Sequence, residues 1–377
     1  MTNGLRRYYP GITIFKLIGS LLVMQNHIRL SDTYMELNQQ LPGLVQAASM
    51  VVPCFYMIAG FLAYQGWHHA REPRRYVAAY LRWVGLIYMF FCLLHFGTVV
   101  VPQLVASNFS LQPLKVLFER YLVRGPYLVL WFIPPLLFGI FVSYVLDSRQ
   151  QLRKGVWLAL AGFVLAQVLN GSLRVVVEAW FPAVIPLFQL KHMYLLGYAT
   201  ANYLGVGFPF ILGGVLVAKY EDVFLQIRAR KFVILTGLCV GTEFMLLGWF
   251  VQGPLQYQLA VSMLPISVFL FYGVLHIQSA GIRKYHKLIN TYSMVVYFTH
   301  MFLISLNAWL LGWSTGHLSP LQAAVCAGLT FLQTVLLTAL FILFTQKKRQ
   351  PAGSEEAGRT QVPQDKLMPG ALPARKG

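Results

Sequence analysis

Gly11-Ile-Thr-Ile-Phe-Lys16-Leu-Ile-Gly-Ser-Leu-Leu-Val-Met-Gln-Asn26-His27 is apolar through almost its whole length, yet carries one lysine and one histidine. Continued to Ile28 as a helix, at 1.5 Å per residue, it is about 27 Å long, close to the roughly 30 Å hydrocarbon thickness of a bilayer. Its apolar run is continuous rather than alternating with period two, which predicts a helix and not a barrel strand. Nine further runs of this kind follow: Leu44–Tyr64, Val84–Val105, Tyr127–Leu146, Gly155–Leu169, Tyr203–Val217, Phe232–Val251, Gln258–Ile277, Tyr292–Leu311 and Leu321–Phe344. The expected fold is an all-α membrane protein, a bundle of about ten transmembrane helices.

Composition agrees. Of 377 residues, 57% are hydrophobic and 11% charged, against about 25% charged in soluble domains, so water is not the main solvent. The net charge of +18 does not predict a nucleic-acid partner, because its placement follows the membrane. With connections assigned alternately to the two sides, Lys and Arg gather on one of them: Arg6 and Arg7, the cluster from Arg71 to Arg82, Arg149 to Lys154, Lys219 to Lys231, Arg283 to Lys287, and Lys347 to Arg349. The other side holds Arg29, Lys115, Arg120, Arg124, Arg174 and Lys191. The positive-inside rule then puts both termini in the cytoplasm and asks for an even number of spans.

Cys54, Cys92, Cys239 and Cys326 all fall inside predicted spans, which predicts small core residues and neither a disulfide framework nor a metal site. The first span is expected to stay in the mature protein, since Lys16 interrupts its apolar part and no small-residue cleavage pattern follows. Residues 1–345 form one transmembrane domain, and 346–377 a polar tail rich in Pro, Gly and charge that is expected to be disordered and cytoplasmic. The connection from Asn170 to Asn202 mixes Arg174, Glu178, Trp180, Lys191 and His192 with apolar residues, the pattern of an amphipathic or re-entrant segment.

Chemistry concentrates in the first span. A lysine in the inner quarter of a membrane helix costs about 2.5 to 3.5 kcal/mol on insertion scales unless it snorkels to the headgroups. Eleven residues at about 100° each complete three turns with only about 20° left over, so Lys16 and His27 share a face, about 16 Å apart along the axis. A polar line of this length suggests a wet path inside the bundle. Histidine suits a general base, its ordinary pKa of about 6.5 leaving a neutral imidazole at physiological pH. His27 is the candidate catalytic residue with Lys16, and Asn26 stands beside it.

The segment Trp67-His-His-Ala-Arg71-Glu-Pro-Arg74-Arg75-Tyr-Val-Ala-Ala-Tyr-Leu-Arg82 sets four arginines in a predicted cytoplasmic loop. Guanidinium forks bind phosphate bidentately, so Arg71, Arg74, Arg75 and Arg82 suit a phosphorylated cytosolic donor; contact with anionic lipid explains the cluster equally well. Pro53 and the Pro134-Pro135 pair are expected to kink or break their helices. Glu243 and His95 are expected to tie helices together, and Gly237-x-x-x-Gly241 to pack them. His300, Tyr127 and Trp131 are candidates to line the same path.

Taken in order, these motifs resemble those of the bacterial acyltransferase 3 family, multi-spanning O-acyltransferases that modify cell-surface glycans. Lys16-x10-His27 is similar to the family's basic residue and histidine in the first helix, and Arg71-x-x-Arg74 to its arginine pair. Pro53-Cys-Phe55-Tyr-Met-Ile-Ala-Gly60-Phe61, Leu130-Trp131-Phe132-Ile-Pro134 and Tyr292-Ser293-Met-Val-Val-Tyr297-Phe-Thr-His300 resemble its second, fourth and ninth helices. Thr13 stands where many members have an acidic residue. The resemblance implies a stand-alone enzyme of the bacterial inner membrane. It implies no bound cofactor, acyl-CoA (commonly acetyl-CoA) as co-substrate, and a saccharide hydroxyl as acceptor, O-acetylation being the commonest outcome. Polar intramembrane residues and broken helices also suit a secondary transporter, whose two halves should correspond; no later helix mirrors Lys16-x10-His27. Oligomeric state is open.

Overall fold

The computed structural model describes residues 8–28, 50–106, 121, 130–250, 260–314 and 318–347. Among them no strand occurs. Each of the ten predicted spans meets a helix: α1 Pro10–Ile28, α2 Val51–His69, α3 Pro73–His95, α4 Ile133–Ser148, α5 Leu152–Asn170, α6 Phe208–Lys219, α7 Ala229–Phe250, α8 Met263–His276, α9 Ala280–Leu310 and α10 Pro320–Lys347. Among the described residues, seven helical stretches are long and apolar enough to cross a membrane, built on α3, α4, α5, α6, α7, α9 and α10, or eight if one bent helix pair counts as a span. The expected count of about ten transmembrane helices is not confirmed: α1 and α8 are shorter apolar helices, and the last turns of α2 carry Gln65, His68 and His69.

Proline punctuates the bundle differently from expectation. Pro53 is the third residue of α2, and Pro134 and Pro135 lie in the first turn of α4, which follows a 3-10 turn at Leu130–Phe132. A first-turn residue has no intrahelical N–H partner to lose, so these prolines start helices instead of breaking them. Pro73 does the same for α3, with Glu72 as N-cap. The arginine segment is therefore a loop only at residues 70–72, and Arg74, Arg75 and Arg82 lie on a helix. At the other end of the chain, Ser319 and Gln322 satisfy each other's backbone N–H groups at the start of α10, at 3.3 and 2.9 Å, a reciprocal capping box.

The core centres on α2 and α6. A Cβ on Gly60 would stand 2.1 Å from the Ile211 carbonyl, and one on Gly214 2.0 Å from that of Met57, so the two backbones meet at a distance only glycine permits. Phe61, Met57, Ile211, Val215 and Phe271 close around this crossing, all almost fully buried. At one end Asp147 joins α2, α4 and α6, accepting from Trp67 Nε1 at 3.1 Å and pairing with Lys219 at 3.3 Å.

Other polar side chains tie helices. Glu243 on α7 accepts from the backbone N–H groups of Val261 and Ser262 at 2.7 and 2.9 Å, just ahead of α8, and His95 Nδ1 lies 3.1 Å from the Tyr121 hydroxyl. Asn307 and Gln333 bond reciprocally at 3.0 and 2.8 Å between α9 and α10. Gly237 and Gly241, by contrast, face open space on the outside of α7, so that motif packs nothing within the described bundle. Helices Ser172–Trp180 and Pro182–Gln189 meet at 114°, and Arg174 pairs with Glu178 at 2.7 Å while lying over the Phe188 ring. Composition leads to the expectation of an amphipathic or re-entrant segment here, and the observed feature is this bend. All four cysteines are free. Beyond Lys347 the expected polar tail lies outside the described residues, as do the long connections after α1 and across most of 107–129.

Candidate active site

α1 and α9 run parallel, side by side. At one end Tyr8 reaches the Ile282 carbonyl and the His286 ring; higher up, Met24 packs with Val296; at the other end the His27 and His300 rings lie 5.5 Å apart. The face that carries Lys16 and His27 is thus turned toward α9. His300 is fully buried, and its Nδ1 lies 2.8 Å from the Val296 carbonyl. A carbonyl only accepts, so that nitrogen carries the proton and Nε2 presents its lone pair. Nε2 of His300 and Nδ1 of His27 are both buried without a hydrogen-bond partner among the described residues. Buried polar atoms are paired in the great majority of cases, and exceptions concentrate where a protein acts on something else.

Below the histidines lies a cavity of about 430 Å³ between α1, α2, α3, α4 and α9. Its walls are mainly apolar, with Phe55, Phe132, Leu136 and Phe298 among them, and its polar lining includes Lys16, Ser20, Asn290 and Ser293. It starts beside the first turns of α3, where Tyr76, Tyr80 and Trp83 face it, and extends to Phe132 and Tyr297. His300 stands one turn beyond Tyr297, about 4.5 Å along the axis, and the two histidines are outside the cavity lining itself.

Of the sequence candidates, Lys16 lines the cavity and His27 meets His300 above it. Lys16 has no carboxylate partner among the described residues; at the position where an acid was expected, Thr13 shares a hydrogen bond with the Tyr8 hydroxyl at 3.2 Å. Arg71 is in the linker before α3, exposed like Arg74, Arg75 and Arg82. At about 100° per residue, Arg75 and Arg82 lie within about 20° of each other, roughly 100° to 130° round the helix from the Tyr76, Tyr80 and Trp83 stripe, and Arg74 lies about 150° from it. Arg75 is paired with Glu72 at 2.7 Å. Trp131 is half-buried against the core, and its neighbour Phe132 takes the cavity wall. Tyr127 and the Asn26 side chain lie outside the described residues.

Sequence reasoning passed over two stripes. Tyr76, Tyr80 and Trp83 are spaced i, i+4, i+7, and Asn290, Ser293, Tyr297 and His300 fall within about 80° of one another on α9. Both were legible as helical spacing, but the first was hidden by treating its segment as a loop.

A helical bundle with membrane-length apolar helices, a mainly apolar cavity, a half-buried lysine and a pair of facing imidazoles suits a multi-pass membrane protein. A family model described as an acyltransferase domain matches residues 9–345, and the chain belongs to the acyltransferase 3 family. It is a membrane acyltransferase acting with non-aminoacyl groups, which separates it from secondary transporters. Neither the curated proteins nor the solved structures compared with it gave a match.

Proposed function

We propose that the protein is an O-acyltransferase that takes an acyl group, most simply acetyl, from cytosolic acyl-CoA to a hydroxyl of an extracytoplasmic or lipid-linked saccharide. In this reading all ten helices cross the bilayer of a bacterial inner membrane, both termini are cytoplasmic, and α1 runs from inside to outside. The observation that carries it is the order along α1 and α9: the arginine-bearing start of α3, the cavity with Lys16, then the His27 and His300 pair.

The diphosphate end of the donor stays at the cytoplasmic face, where Arg71, Arg74, Arg75 and Arg82 at the start of α3 supply positive potential near the cavity mouth. The pantetheine arm threads past Lys16 and carries its thioester toward the histidines. His27 takes the acceptor hydroxyl proton as the oxygen attacks the thioester carbonyl; the new C–O bond forms, the C–S bond breaks, and the proton passes to the departing thiolate. The Nε2 lone pair of His300, its tautomer held by Val296, accepts a hydrogen bond from a neighbouring hydroxyl of the saccharide and so orients the attacking one.

The test is sidedness. Sealed inverted membrane vesicles, their cytoplasmic face outward, receive labelled acetyl-CoA with acceptor saccharide enclosed. Label on the enclosed saccharide is expected. Transfer only when donor and acceptor share one side, or none at all from any acyl-CoA, would contradict the proposal.

A further inference from the structure

Three polar side chains of the cavity wall bond to backbone carbonyls: Ser20 Oγ donates to the Leu17 carbonyl at 2.9 Å, Ser293 Oγ to that of Ile289 at 2.8 Å, and the Tyr56 hydroxyl to that of Phe132 at 2.9 Å. Asn290 Oδ1 is buried with no hydrogen-bond partner among the described residues, and Lys16 Nζ, which can only donate, has no carboxylate among them. Facing residues of α1 and α9 keep an almost constant offset, from Tyr8 with Ile282 to His27 with His300, and this brings Asn290 level with Lys16. An unmet acceptor and a cation thus line one mainly apolar chamber at the same level. Leaving a buried acceptor unpaired is costly, and the ligand that relieves both groups at once offers an N–H and a C=O a few ångströms apart.

We propose that Asn290 and Lys16 form an amide-recognition subsite: Asn290 Oδ1 accepts an amide N–H, and Lys16 Nζ donates to an amide carbonyl, of the pantetheine arm of the donor. The proposal rests on acyl-CoA being the donor. It assigns Asn290 a positioning role that neither the acyl group nor a phosphate at the cavity mouth explains: an acyl chain has no N–H to give, and a phosphate has only acceptors. The two contacts fix how far the arm has entered, and so where the thioester carbonyl stops relative to His27. Their effect belongs in donor binding.

The experiment compares two acetyl donors with purified, reconstituted protein: acetyl-CoA, and the acetyl thioester of a simple alkanethiol, which has no amide. Asn290→Leu keeps the side chain's approximate volume and removes its oxygen. It is expected to raise KM for acetyl-CoA roughly five- to tenfold, the loss of about one hydrogen bond, and to narrow the preference for acetyl-CoA over the amide-free thioester by the same factor. A preference that survives unchanged overturns the subsite, because Asn290 then serves Lys16 or the fold instead of the ligand. Wild-type protein that transfers from the amide-free thioester but not from acetyl-CoA or any other acyl-CoA overturns the donor assignment, and the subsite with it. A wild-type measurement needs no variant to fold: pantetheine should inhibit transfer, and N-methylation of its amides should weaken that inhibition about five- to tenfold. Equal inhibition by the two contradicts the proposal.

Discussion

The crossing of α2 with α6 and the seam between α1 and α9 are both helix contacts inside one bundle, yet they are built on opposite principles. At the first, Gly60 and Gly214 let backbones touch and large apolar side chains close the remaining space. At the second, polar atoms of His27, Asn290 and His300 are buried without hydrogen-bond partners among the described residues. A protein gains nothing in stability from orphaned polar atoms in a membrane. The first contact holds the fold, and the second spends stability on something the fold alone does not need.

That contrast is sharpened by substitutions which should separate folding from catalysis. His27→Ala is expected to have the largest effect, lowering kcat by roughly 10²- to 10⁴-fold, the usual worth of a general base, read as labelled acyl transfer per folded molecule. Gly214→Val should do the reverse. Its side chain meets the Met57 backbone, costing about 3 kcal/mol or more, so folded protein and thermal midpoint fall while the activity of surviving molecules is kept; Gly214→Val protein of normal stability would break the comparison. His300→Ala is expected to lower kcat about ten- to a hundredfold in single-turnover measurements, less than His27→Ala because it orients the hydroxyl and takes no proton.

The smallest effects belong to the arginines. Arg82→Ala and Arg74→Ala should each raise KM for the donor a few-fold, with a similar dependence on ionic strength. Both residues lie well off the cavity-facing stripe of α3, about 130° and 150° round the helix, and act as diffuse positive charge. An effect confined to one of them would mean a placed phosphate contact instead.

The helices were legible because a membrane span must be long, apolar and continuous, and each predicted run met a helix. What composition did not settle was which runs are apolar enough to cross on their own, since the residues that weaken α1 and α2, among them Lys16 and Gln65, are those a polar interior requires. The polar face of α1 was legible in the spacing of Lys16 and His27 because helical geometry is rigid. Its partner was less so: His300 stood among several lone polar residues in apolar helices, and only the parallel packing of α1 against α9 brings it to His27. The proline positions misled for a local reason. A proline interrupts a helix only after its first turn, and the sequence does not mark where that turn lies.

The most direct measurement sets activity against stability in one variant. Reconstituted His27→Ala protein should lose at least about a hundredfold in acyl transfer with its thermal midpoint within about 4 °C of wild type, a shift that corresponds to roughly 1 kcal/mol or more in a protein of this size. Transfer retained by that variant, or lost only in proportion to the folded protein that remains, would contradict the assignment of the α1 and α9 seam as the place of reaction.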